Sequence, residues 1–108
     1  MPYDAGLAER VAGVLPPLGA AHARQKNVFG GRGFLLGKST FVVVWEDGLL
    51  VKTPPAEYGA SLAEPGVTPF APDGGRPMST WLVVPPDAIA DDPDLLEWLE
   101  LGVRAVRG

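Results

Sequence analysis

Apolar positions along this chain follow two periods, and the switches between them mark out the elements. From Asp4 to Leu15, Leu7, Val11, Val14 and Leu15 recur at helical spacing, with Glu9 and Arg10 on the other side. Asp4 is placed to accept from the first free amides, so an amphipathic helix is predicted there. Pro16-Pro17 ends it, because proline lacks an amide hydrogen and restricts the residue before it. Leu18 to Ala23 then reads as a loop. From Asn27 to Lys52 the pattern is that of strands. Phe41-Val42-Val43-Val44-Trp45 is an unbroken β-branched and aromatic run, predicted to be a central strand. Asp47-Gly48 joins it to Leu49-Leu50-Val51-Lys52 as a hairpin turn, since a type I′ turn needs positive φ at both central residues. Lys26-Asn27-Val28-Phe29 and Phe34-Leu35-Leu36 are shorter strands joined through Gly30-Gly31-Arg32-Gly33.

After the meander, Thr53-Pro54-Pro55 reads as a cap followed by proline in the first turn of a short helix, Ala56 to Ala63, which buries Tyr58 and Leu62. Val67 to Phe70 is a brief strand whose Pro69 confines it to an edge. Ala71 to Met78 is a loop, Thr80 to Val84 the last strand, and Pro85-Pro86 its end. Asp91, Asp92 and Asp94 open a final helix with Leu95, Leu99, Val103 and Val106 in one stripe and Arg104 and Arg107 in its last turns, charges that complement the helix dipole. Leu96, Trp98 and Leu101 widen its apolar surface beyond one narrow face. The expectation is one α+β domain over residues 1–108, two layers, with three helices and an antiparallel sheet of about five to six strands in the order α-β(4)-α-β(2)-α.

Composition sets the bounds. A chain of 108 residues, 46% hydrophobic, is large enough to bury one core in spite of its 14 glycines and 12 prolines. No cysteine means neither a disulfide framework nor a thiolate metal site. Met1-Pro2-Tyr3-Asp4 opens no cationic-then-apolar leader, and no apolar run reaches bilayer length, so a cytoplasmic protein without membrane association is expected.

Tyr3-Asp4 with Leu7-Ala8-Glu9-Arg10, the Val28-Phe29-Gly30-Gly31 turn, Gly75-Arg76-Pro77-Met78 before Trp81 and the acidic-start final helix occur together in one order. That ordered set resembles the TfoX N-terminal domain family, also called TfoX/Sxy, over nearly the whole chain. The resemblance implies a two-layer α+β fold and, through the founding member, a link to regulation of bacterial competence. The chain departs from the family pattern at Val28, where methionine is usual, and at Ser79-Thr80, a place that is often Lys-Gly.

Candidate chemistry is sparse. Gly37-Lys38-Ser39 resembles the end of a phosphate-binding loop, but Arg32 stands where that loop needs glycine and a strand follows. Gly31-Arg32-Gly33 lacks the third glycine of a dinucleotide fingerprint, Leu36 standing in its place. His22 has no cysteine or spaced acid beside it, the acids Asp91, Asp92 and Asp94 are an ordinary helix start rather than a magnesium site, and Ser39, Ser61 and Ser79 have no base. No catalytic residue, cofactor or metal is expected.

What remains points to interaction. Phe29, Gly30, Gly31 and Arg32 with Arg76, Pro77 and Met78 are the candidate surface for an unidentified protein partner. Both faces of the Phe41–Trp45 and Trp81–Val84 strands are apolar. Either the helices divide between the faces of a monomer, or a sheet face or the Trp98 and Leu101 side of the last helix is buried against another copy or a partner. The alternative is a nucleic-acid-binding module using Arg24, Lys26, Arg32 and Lys38, with Phe29 and Phe34 as stacking platforms, because no acid lies between Glu9 and Glu46. The net charge of −4 weighs against it.

Overall fold

The computed structural model describes residues 3–28, 30–46, 48–71 and 80–107. Helix α1 (Ala5–Val14) leads into strands β1 (Arg24–Val28), β2 (Gly31–Leu36), β3 (Ser39–Trp45) and β4 (Gly48–Lys52). Helix α2 (Tyr58–Leu62), strands β5 (Thr68–Pro69) and β6 (Trp81–Val84) and helix α3 (Asp92–Arg107) complete the chain. This is the expected α+β order, with six strands in one antiparallel sheet ordered β1-β2-β3-β4-β6-β5. The unbroken Phe41–Trp45 run lies inside the sheet between β2 and β4, and Pro69 lies on an edge strand, as their residues predict. Asp4 caps α1, its Oδ1 accepting from the Leu7 amide at 3.1 Å. The expected hairpin residue Asp47 lies outside the described residues, and Gly48 after it has φ +126°.

The helices do not divide between the faces. Leu7 and Val11 of α1 and Leu95, Leu99 and Val103 of α3 pack with Phe34, Val42, Val44, Leu49, Val51 and Val84 in one core on one side of the sheet. Gly102 lets α3 approach closely, since a Cβ there would meet the Phe41 carbonyl oxygen at 2.8 Å. The other face carries a smaller cluster, Val43, Leu50, Phe70 and Trp81, with Val28, Trp45 and Val83 at its margin. Trp45 and Phe70 meet there edge to face at 6.0 Å between ring centres.

Arginines sew the chain ends to the core. Arg10 of α1 donates to the Ile89 carbonyl (2.9 Å), the Ala90 carbonyl (3.2 Å) and the Asp92 carboxylate (3.0 Å) at the start of α3. Arg107 at the end of α3 donates to the carbonyls of Leu18 (3.3 Å) and Gly19 (2.5 Å). The two helices therefore run alongside each other in the same sense.

Two local expectations are corrected. Thr53 does not cap a helix: it is buried, and its amide (2.7 Å) and hydroxyl (3.3 Å) both donate to the Thr80 carbonyl, tying the end of β4 to the start of β6. The helix after it is also shorter than expected, a 3-10 turn Pro55–Glu57 followed by α2, and Tyr58 and Leu62 are only half-buried. Thr80 itself has φ +73°, a left-handed conformation that β-branched residues adopt only under strain. Thr80→Gly is expected to raise stability by about 0.5–1 kcal/mol, the relieved strain exceeding the added chain entropy. Urea unfolding would show this as a higher midpoint at unchanged slope.

Candidate functional site

The sequence gives α3 two working faces. Leu95, Leu99 and Val103 face the sheet, while Asp94, Glu97, Trp98, Leu101 and Arg104 recur at three- and four-residue steps on another side. Opposite that second side, the prolines after Thr53 start the 3-10 turn that leads into α2, and Pro85 and Pro86 start a second 3-10 turn, Pro86–Ile89. Between α2, that turn and α3 lies an open groove of about 850 Å³. Trp98 is half-buried in it, packing in part against the main core, with Leu101 almost fully buried beside it.

The groove is acidic. Glu57, Glu64, Asp87, Asp94, Glu97 and Glu100 line it, with Arg104 as the one cationic side chain. Arg104 bridges one end: its guanidinium grips the Glu57 carboxylate through two hydrogen bonds, the Nη2–Oε1 bond being 3.1 Å, and Glu100 stands 3.8 Å from its Nε. The hydrogen bond from Arg104 holds the Glu57 carboxyl below its ordinary range, and the same bond raises Arg104. Each group thereby favours the charged form of the other, and the exposed pair links α3 to the turn before α2.

The residues singled out in the sequence are placed elsewhere. Gly30 is exposed in the β1–β2 turn and Gly31 is buried in β2. Arg32 is turned to the helix-bearing face, where it donates to the Tyr3 hydroxyl at 3.3 Å and lies 5.5 Å from the centre of that ring. Phe29, Arg76, Pro77 and Met78 lie outside the described residues.

The basic set is divided by strand alternation. Arg32 pairs with Asn27, which puts Arg24 and Lys26 on the opposite face. Arg24 donates to the Gly37 carbonyl at 2.7 Å, which sets Arg24 and Lys26 on the β1 edge beside the turn that carries Lys38, apart from Arg32. Phe34 cannot serve as a stacking platform: it is 1% exposed and faces the helices, which corrects that part of the expectation.

Trp98 and Leu101 were legible as surplus apolar positions on α3. The acids from outside α3 were not legible, since Glu57, for one, stands 47 residues from the Arg104 it pairs with and only the fold joins them. The pattern that foreshadows the groove is Trp98 set among Asp94, Glu97 and Glu100 on a helix whose core stripe is already complete.

Among the described residues no group of histidines and carboxylates could hold a metal ion, and no helix is long and apolar enough to cross a membrane. Residues 15–106 match the model of a family described as the TfoX N-terminal domain. No curated protein matches the chain.

Proposed function

Because the chain belongs to the TfoX N-terminal domain family, we propose that it is a small regulatory protein, without a reaction of its own, that acts by binding another protein. The observation that supports this reading is the groove between α2 and α3, where Trp98 stays half-exposed although α3 has a complete core stripe of its own. Aromatic side chains in a recess are the usual anchors of protein interfaces, because they bury much area at little cost in rotamer freedom. A protein partner is favoured over nucleic acid because the basic set is divided between the two faces of the sheet, Arg32 lying away from Arg24 and Lys26, and Phe34, one of its expected stacking platforms, is buried.

A photoreactive phenylalanine analogue in place of Ala60, in the groove, or of Gln25, on the exposed β1 edge, would test the reading in the source cells. Irradiation is expected to give a discrete protein adduct from the Ala60 position alone. Equal adducts from both positions, or none from Ala60, would overturn it.

A further inference from the structure

We infer that the groove takes a short basic segment of a partner protein, with the cationic head of one lysine or arginine lying over the Trp98 ring. This deepens the reading above and rests on it. Six carboxylates against one guanidinium give the groove a formal charge of −5, whereas the whole chain carries −4. The rest of the molecule is therefore net positive by one unit, and the acidic character of the protein belongs to this one recess. Arg104 is already engaged by Glu57 and Glu100. Glu64, Asp87, Asp94 and Glu97 are exposed and form no ion pair among the described residues, so nothing internal neutralises them.

The arrangement suits a row of spaced cationic side chains better than a metal ion. A metal needs its oxygen ligands drawn in to about 2.0–2.6 Å around one point, and no cluster of that kind exists among the described residues. Here the acids are strung along a groove. From Asp94 to Arg104 the helix advances about 15 Å. An extended chain at about 3.3 Å per residue places four or five residues over that span, and alternate side chains point the same way. Two cationic side chains of one short segment can thus reach down together. The floor supplies the other half of the match: an indole ring attracts a cation within about 6 Å of its centre, Trp98 is the ring that lines this groove, and the aliphatic stem of the incoming cationic side chain covers the apolar ground beside it.

The test uses the full chain and fluorescence anisotropy of two labelled hexapeptides, one alternating lysine and serine, the other glutamate and serine. Saturable binding of the basic peptide alone is expected, weakening as salt is raised. Glu64→Gln combined with Glu97→Gln removes two charges that support no ion pair and lie outside the first turn of α3, so the melting temperature should hold while binding weakens roughly tenfold. Trp98→Leu keeps an apolar side chain and loses the ring, and should weaken binding about fivefold.

No binding of the basic peptide, or binding unchanged in the double variant, overturns the inference. The adducts from Ala60 separate the two levels. A discrete foreign adduct with no peptide binding leaves the protein-interaction reading standing and removes the basic segment. Absence of both removes both, and an adduct of two copies of this chain replaces the partner with self-association.

Discussion

Gly48→Ala is expected to lower the stability of the domain by roughly 3–5 kcal/mol, from backbone strain and overpacking together. Gly48 opens β4 opposite Trp45, and its φ of +126° lies where side chains are rarely tolerated. A Cβ there would be driven against the Val84 carbonyl oxygen, with the Pro85 Cα 3.3 Å away. These are backbone atoms of and just after β6, so no rotamer change can give way. The collision falls on the seam where the C-terminal half of the chain joins the β1–β4 meander, through the pairing of Leu49 with Val84 and Leu50 with Val83. Chemical denaturation followed by tryptophan fluorescence should show the midpoint falling at unchanged slope. A loss below about 1 kcal/mol would mean that β4 and β6 separate easily, against the geometry described.

Leu99→Ala should cost about 3–4 kcal/mol. Leu99 is fully buried between α3 and the sheet, in the cluster that includes Val42, Val44, Leu49 and Val51. Truncation removes its own burial and leaves a space that β3 and β4, held on both sides by neighbouring strands, cannot close. Since domains of this size are stable by only about 5–15 kcal/mol, the variant would spend a large part of the margin. Leu99→Met, which conserves volume, should cost less than about 1.5 kcal/mol and serves as the comparison. Equal losses from the two would mean that shape rather than volume governs the site.

Both sites sit where sequence and structure agree, and the reasons for agreement are local. The run from Phe41 to Trp45 can only satisfy its backbone and bury both its faces inside a sheet. The stripe Leu95, Leu99 and Val103 has one period and one partner surface, and Asp4 lies next to the amides it caps.

Disagreement begins where one signal has two physical solutions. Pro16-Pro17 and Pro85-Pro86 were legible as stops, yet proline also starts a 3-10 turn without loss, and both pairs do so, at Pro16–Leu18 and Pro86–Ile89. Thr53 has the chemistry of a cap, but a buried threonine serves equally well as a tie between strands, and the Thr80 carbonyl accepts from both its amide and its hydroxyl. Strand alternation separates Arg32 from Arg24 and Lys26, which sequence proximity cannot foretell before the register is known. The groove was least legible because its charge is assembled from three elements that meet only after the sheet has formed.

The edges of the sheet carry a further consequence, for behaviour in a crowded cell. An open antiparallel sheet offers its outermost backbone groups as a template on which other chains can add and polymerise. Here one boundary is β1, with Arg24 and Lys26 along it, and the other is β5, two residues long and ending in Pro69. Charge repels a like strand at the first boundary, and brevity with a missing amide hydrogen stops a ladder at the second. Each molecule's sheet thus ends with itself, and docking is left to side chains.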